Sequence, residues 1–172
     1  GSKDAYKAAN YWKDFGLILE IGAEVPTITF ADATVKSLCL ANWDTDNNGE
    51  LSVVEAKAVT SLGEVFKGNT SITTFDELQY FTGVTTIDSY AFAGCSLTSV
   101  TLPNTVTLIG ERAFEYCHQL TTVDFNGCKA VIWQLAFNDC ISLENVTLPA
   151  GTNPDQWLTF FNCTSLQTFA LA

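Results

Sequence analysis

The chain has 172 residues, of which 47% are hydrophobic, and its 19 acidic residues outnumber its 8 basic residues to give a formal net charge of −11. This hydrophobic content supports a packed core and argues against a disordered chain. The acidic balance argues against nucleic acid as a partner and against an anionic membrane surface, and no run of about 18 apolar residues suggests a membrane span.

The first 24 residues mix aromatic and charged side chains without strand alternation, which predicts a short helix and then a loop. The chain starts Gly1-Ser2-Lys3, without methionine or signal peptide, which indicates either a processed or an engineered start and is consistent with removal of an export segment. A second helix is predicted after Pro26, with Asp32 as its N-cap and Val35 on its apolar face.

Residues 44–55 match the calcium loop of an EF-hand. Calcium takes about six to eight oxygen ligands, and a glycine at the sixth loop position, here Gly49, allows the backbone to turn around the ion. We therefore predict a Ca²⁺ site whose ligands are Asp44, Asp46, Asn48, Glu50, Ser52 and Glu55, with Glu50 contributing its backbone carbonyl. The alternative is an acidic turn that holds no metal.

The calcium loop is followed by a predicted exit helix from Val53 to about Leu62. Because the sequence contains one such loop, we expect weak binding, with a dissociation constant of about 10⁻⁴ to 10⁻³ M as in extracellular modules. A structural calcium ion in a calcium-rich exterior fits this affinity better than a cytosolic sensor does.

From residue 71 onwards the sequence repeats, with cysteines spaced by 22, 23 and 23 residues at Cys95, Cys117, Cys140 and Cys163. Each unit contains alternating apolar residues, a pattern that is typical of a leucine-rich-repeat solenoid. The predicted fold class is α+β, with a short N-terminal helical EF-hand-like cap at 1–70, containing loop 44–55, and a solenoid of about five coils at 71–172.

The inward positions of such a solenoid should form columns of side chains. Phenylalanine forms one predicted column, at Phe92, Phe114, Phe137 and Phe160. Stacked strands lie about 4.8 Å apart with parallel Cβ vectors, which does not suit disulfide geometry, so we predict that the four repeating cysteines are buried free thiols. Cys39 and Cys128 lie outside this pattern and receive no assignment.

The outward strand positions are polar and rich in hydroxyl groups, and a continuous solenoid surface is a common place for partners to bind. We predict an extracellular protein or glycan as the partner. The alternative is that threonine simply fills solvent-facing strand positions, and that the tryptophan in this set covers the end of the stack. The candidate residues are Thr98, Thr101, Thr122, Asp124, Asn145, Thr147 and Trp133.

Catalysis is not predicted. His118 is the only histidine and follows Cys117 directly. A nucleophile and its base must reach hydrogen-bond distance, and adjacent residues do not converge easily in that way.

Two units carry a specific family pattern: Ile87-x-x-x-Ala91-Phe92-x-x-Cys95-x-Leu97-x-x-Val100-x-Leu102-Pro103 and Ile109-x-x-x-Ala113-Phe114-x-x-Cys117-x-x-Leu120. They resemble the BspA-like leucine-rich repeats of surface proteins from anaerobic gut and mouth bacteria. The resemblance covers about residues 71–172, and residues 28–81 resemble the leader commonly seen before these repeats.

The resemblance implies a non-enzymatic protein that is exported to the bacterial cell surface or outer membrane, often as a lipoprotein, and that binds host or extracellular macromolecules in adhesion. Contact with a membrane is then expected only through a lipid anchor. The alternative function is a structural or self-associating module, in which the open C-terminal coil pairs with another copy to form a homodimer.

Overall fold

The computed structural model describes residues 25–148 and 158–171, so the helix predicted within residues 1–24 lies outside the described residues. The described chain begins with helix α1, Ala33–Trp43, and helix α2, Val53–Ala58, and a 3₁₀ helix follows at Asp76–Tyr80. None of the helices in these ranges is long and apolar enough to cross a membrane.

Seven short strands follow in the described residues, and they form two parallel sheets. One sheet contains β1 (Thr86–Ile87), β3 (Leu108–Ile109) and β5 (Val131–Ile132), and the other contains β2 (Ser99–Thr101), β4 (Thr122–Asp124), β6 (Asn145–Leu148) and β7 (Thr168–Leu171). Paired residues are 22 or 23 positions apart, as in Thr86 with Leu108 and Ser99 with Thr122. From β1 to β6 each coil therefore adds one strand to each sheet, as expected of a repeat fold.

A column of stacked phenylalanine rings runs along the core. Successive ring centroids are 5.3, 5.1, 5.1 and 5.2 Å apart, with interplanar angles of 13°, 7°, 3° and 4°. The column contains the four predicted residues and one more at its N-terminal end, Phe66. The repeat geometry therefore begins before residue 71, where the solenoid was predicted to start.

The repeating cysteines form a second column beside the phenylalanines. All six cysteines are free, and all are buried except Cys163, which is half-buried. The predicted burial is thus confirmed for Cys95, Cys117 and Cys140 and is only partial for Cys163. Each repeating thiol donates to the carbonyl of a phenylalanine in the preceding coil, at distances of 2.8, 3.0, 3.2 and 3.1 Å. Burial raises the pKa of Cys95 and Cys117 to about 12, so these thiols pack and bond rather than react.

The helical segment packs directly on the first coils. Cys39 of α1 is fully buried, and Trp43 meets the edge of Phe81 at a centroid distance of 5.4 Å. Helix α2 ends at Ala58 rather than near Leu62 as predicted. Helix α2 stops there because Asp88 Oδ2, in the repeat, accepts hydrogen bonds from the N–H groups of Leu62 and Gly63 at 3.0 and 2.9 Å. These N–H groups are therefore not used in the hydrogen bonds of a longer helix.

Candidate metal centre and sheet surface

The acidic loop connects the end of α1 to the start of α2 and is shaped by its own side chains. Asn47 and Gly49 have positive φ angles of 57° and 83°, which turn the backbone sharply. The N–H groups of Asn48 and Gly49 donate to the Asp44 carboxylate at 3.2 and 2.9 Å. The first acidic residue of the loop therefore organises the turn.

Three carboxylates meet inside this loop. One oxygen from each of Asp44, Asp46 and Glu55 lies within 4.8 Å of the other two. Such a set of hard oxygen donors suits calcium, and a nearby cation would relieve the repulsion between the three negative charges. Asp46 and Glu55 also line a cleft of about 500 Å³, together with Thr45 and Ser52, whereas Asp44 does not line it.

Glu55 is the most constrained member of the group. Its Oε1 accepts from the N–H and hydroxyl of Thr45 at 2.8 Å each, and its Oε2 accepts from the N–H and hydroxyl of Ser52 at 2.9 and 2.8 Å. Ser52 Oγ in turn accepts from the N–H of Glu55 at 3.1 Å, which completes a capping box at the start of α2. Thr45, at the second loop position, was missed by the sequence reasoning although its hydroxyl lies within the loop.

Burial alone would raise the pKa of the Glu55 carboxyl, but the hydrogen bonds from Ser52 and Thr45 outweigh it and lower the pKa to about 2. The carboxylate is therefore ionised at neutral pH. Two of its four close donors are hydroxyl groups, which rotate freely. Glu55 can thus turn lone pairs towards a cation while it keeps both backbone hydrogen bonds, and the residues present fit calcium.

The remaining predicted ligands make other contacts. Asn48 Oδ1 accepts from the N–H of Glu50 at 2.8 Å, and both carboxylate oxygens of Glu50 lie 2.9 Å from Lys36 Nζ on α1. The Ser52 hydroxyl is part of the helix cap. The structure thus brings together the carboxylates of Asp44, Asp46 and Glu55, while the ligand roles of Asn48, Glu50 and Ser52 stay predictions.

The second candidate site is the outward face of the four-stranded sheet. Its strands bring Ser99 beside Thr122, Thr122 beside Asn145, and Asn145 beside Thr168. A neighbouring row pairs Thr101 with Asp124, and Thr147 with Ala170. We call these positions the outward rows; most of these residues are exposed, and Ser99, Thr101 and Ala170 are half-buried.

Two of the predicted partner-binding residues lie outside the outward rows. The N–H and hydroxyl of Thr98 both donate to the carbonyl of Thr73, at 3.0 and 3.1 Å, so both of its donors bond to the preceding coil. Trp133 is 46% exposed but directly follows β5, which belongs to the other sheet. Of the seven predicted partner-binding residues, five therefore lie together on the sheet surface: Thr101, Thr122, Asp124, Asn145 and Thr147.

Cys117 and His118 have different surroundings. The thiol of Cys117 is fully buried and donates to the carbonyl of Phe92 at 3.0 Å. His118 is exposed, with its ring 6.0 Å from that of Tyr116. The two side chains do not form a nucleophile and base pair.

The sequence model of the BspA type leucine rich repeat region matches residues 60–172 with six copies, one more than the five coils predicted. In solved structures, the chain is similar to a leucine-rich repeat protein from Bacteroides capillosus, with 33% identity over 51% of this chain and 63% of that chain and a TM-score of 0.41. The chain thus spans less than two thirds of that protein. No curated protein matches the sequence.

The repeats of this family are generally not enzymes, and they are typical of bacterial surface and protein-interaction modules. The match covers well over half of the sequence and includes both parallel sheets and the phenylalanine and cysteine columns. The chain belongs to the BspA-type leucine-rich-repeat family.

Proposed function

We propose that this protein is a non-enzymatic, exported binding module that is stabilised by calcium and recognises an extracellular protein or glycan through its outward rows. The observation that carries the proposal is the parallel four-stranded sheet, which presents hydroxyl, amide and carboxylate groups at a regular spacing of about 4.8 Å. A regular array of hydrogen-bonding groups suits an extended or repetitive ligand.

The charge of this surface narrows the class of partner. Asp124 is exposed, as is Glu144, which directly precedes Asn145, and the described positions of the outward rows contain no lysine or arginine. The surface therefore offers mainly acceptors and hydroxyls. Hydroxyl-rich glycans and protein segments with amide or basic groups provide the complementary donors.

Calcium and compartment belong to the same proposal. A single loop with a dissociation constant of about 10⁻⁴ to 10⁻³ M fills only where calcium is at millimolar levels, as outside cells. The buried thiols suit this location, because burial raises the pKa of Cys95 and Cys117 and thereby protects them from oxidation. A lipid anchor is the only membrane attachment that we propose.

The binding surface is tested by a charge reversal on the outward rows. The triple variant Thr101→Lys, Asp124→Lys and Thr147→Lys should lose binding to the host matrix proteins and glycans that the wild-type protein retains in a pull-down. A control with the same charge change on exposed residues elsewhere is Thr60→Lys, Asp76→Lys and Gln119→Lys. Equal binding by the first variant and the wild type would exclude the sheet face.

The metal site is tested by calorimetric titration with CaCl₂. The wild-type protein and the Asp76→Ala control should bind one ion, and Asp44→Ala should bind none because it removes the carboxylate that organises the loop. No heat of binding from the folded wild-type protein up to 10 mM CaCl₂ would contradict a calcium site of the expected affinity.

A second candidate function is self-association. Three large apolar side chains of the last described coil are strongly exposed, namely Leu158 at 53%, Phe161 at 55% and Phe169 at 48%. Another copy could bury them, with strand β7 alongside its counterpart. Light scattering should then give twice the monomer mass, and Phe161→Ser with Phe169→Ser should restore the monomer; a strictly monomeric wild-type protein would exclude this function.

A further inference from the structure

The candidate metal loop is bonded to the residues that precede α1. The N–H of Ile28 donates to the carbonyl of Leu51 at 2.8 Å, and the N–H of Val53 donates to the carbonyl of Pro26 at 2.9 Å. These two bonds form an antiparallel bridge centred on Thr27 and Ser52. The side chain of Ile28 is 4% exposed and that of Leu51 is fully buried, so the bridge lies over the core.

The same segment is bonded to the first coil at its other end. The N–H of Ala31 donates to Glu77 Oε1 at 2.7 Å, and the N–H of Thr73 donates to Asp32 Oδ2 at 3.1 Å. Glu77 is 6% exposed, and its second carboxylate oxygen is buried without a hydrogen-bond partner. We call residues 26–32, which connect the loop to the repeat, the strap.

We propose that the strap transmits calcium binding in loop 44–55 to the first coil of the repeat, so that the ion locks the helical segment onto the solenoid. This inference rests on the proposed calcium site. The predicted ligands Glu50 and Glu55 flank the bridging residues 51–53. An ion held at both places fixes this backbone, and the fixed backbone holds the strap.

Three residues of the strap restrict its movement, so that a fixed position at the loop end also fixes the end that contacts the repeat. Pro26 has a fixed φ angle, which limits the conformations available where the strap begins. Ile28 anchors its middle in the core, and Asp32 both caps α1 through Oδ1, at 2.8 Å from the N–H of Thr34, and reaches the repeat through Oδ2. Loss of the bridge therefore frees the segment that holds Glu77 and Thr73.

Coupling of this kind has a defined size in hydrogen exchange. If the strap opens only when the loop releases its ion, calcium at 100 times its dissociation constant reduces the open population about 100-fold. When the exchange rate of an amide is proportional to the population of the open strap, amides that are exposed by this opening exchange about 100-fold more slowly in calcium. The informative amides are those of Ile28, Ala31, Val53 and Thr73, and the amide of Thr168 in the last strand serves as the control.

The experiment compares amide exchange of the full chain by NMR in CaCl₂ and in chelator, with calorimetry of the same samples. The inference predicts that calcium slows exchange at Ile28, Ala31, Val53 and Thr73, by up to about 100-fold, and leaves Thr168 unchanged. Calcium binding that slows exchange inside residues 44–55, Val53 included, but not at Ile28, Ala31 and Thr73 would overturn the strap and leave the calcium site standing. Absence of binding in calorimetry would overturn both.

A pair of variants tests the link to the repeat. Asp32→Asn keeps an oxygen for the α1 cap but places an NH₂ group against the N–H of Thr73. Calcium should then still protect Ile28 and Val53, and its effect on Thr73 should fall to less than a tenth. Glu77→Gln is the matched control, because it retains an acceptor for Ala31 and should keep the full calcium effect; equal protection of Thr73 in Asp32→Asn and wild type would contradict transmission through the strap.

Discussion

The variant Glu55→Gln tests how the candidate loop is held together when no metal is bound. In the wild-type protein each carboxylate oxygen accepts a backbone N–H and a hydroxyl, from Thr45 on one side and Ser52 on the other. A glutamine keeps one acceptor oxygen and places an NH₂ group against the other pair of donors. One backbone N–H then loses its acceptor in a site that is only 9% exposed.

The expected loss in free energy of unfolding is about 2 kcal/mol at pH 7 in chelator, because an unsatisfied buried donor costs about 1–3 kcal/mol. For a chain of this size this corresponds to a fall in melting temperature of about 4–8 °C. Glu64→Gln is the matched control, since the Glu64 side chain is 55% exposed and pairs with Lys67 at the surface.

The pH dependence of this loss has a defined sign. The pKa of Glu55 is lowered from 4.5 to about 2, so its contribution to stability is fully present above pH 4.5 and is lost as the pH falls towards 2. Urea unfolding in chelator should therefore show a gap between wild type and Glu55→Gln that is constant from pH 7 to about 5 and shrinks at pH 3. A gap that is absent at pH 7, or that widens in acid, would refute this description of the loop.

Three further predictions concern the solenoid and its contact with the helical segment. In the native protein a thiol reagent should modify Cys163 first, because it is half-buried whereas the other cysteines are buried; rapid modification of Cys117, whose pKa burial raises to about 12, would contradict the buried column. Gly83→Ala should lower the free energy of unfolding by about 1–3 kcal/mol, because its Cβ would clash with the carbonyl oxygens of Lys57 and Val59. The control Thr122→Ala on the exposed sheet should change the free energy of unfolding by less than about 0.5 kcal/mol. Equal effects of the two variants in urea unfolding would contradict close packing of the helical segment. Phe114→Ala should cost about 3–5 kcal/mol, because it interrupts the ring column at a fully buried position, and a loss below 1 kcal/mol would show that the column contributes little.

Periodicity predicted the repeating part of the structure well. The spacing of the cysteines and the alternation of residues such as Leu97 and Val100 are enough to place inward and outward positions, because a solenoid imposes the same environment on equivalent residues of every coil. For this reason the predicted burial of Cys95, Cys117 and Cys140 and the four predicted members of the phenylalanine column are confirmed. Phe66 was missed because its unit has Asn69 in the place of cysteine.

Contacts between distant residues could not be predicted in this way. Two contacts do not follow from local pattern: the hydrogen bonds that the Asp88 carboxylate accepts from the N–H groups of Leu62 and Gly63, and the bridge between the strap and residues 51–53. Each joins residues more than 20 positions apart. The sequence also did not predict which non-glycine residues adopt a left-handed backbone conformation. Gly68 and Gly94 occupy one turn position with φ angles of 68° and 71°, and later coils place Tyr116 and Asp139 there at 60° and 57°.

The candidate sites were predicted to different depths. The acidic loop pattern located the carboxylates of Asp44, Asp46 and Glu55 because their spacing within one short loop makes them neighbours. It did not reveal that the Ser52 hydroxyl serves the helix cap or that Glu50 pairs with Lys36. Trp133 was grouped with the sheet residues because an exposed tryptophan was expected there. In the structure it follows β5 of the three-stranded sheet, whereas the other residues lie on the four-stranded sheet.

The central claim, that calcium stabilises this module through loop 44–55, is tested most directly by melting temperature with and without calcium. With a dissociation constant of about 10⁻⁴ M, 10 mM free calcium is about 100 times that constant and adds about 2.7 kcal/mol, which raises the melting temperature by about 5–11 °C. The wild-type protein and Asp76→Ala should show this rise, and Asp44→Ala should not. An unchanged melting curve for the wild-type protein between saturating chelator and 10 mM calcium would contradict the claim.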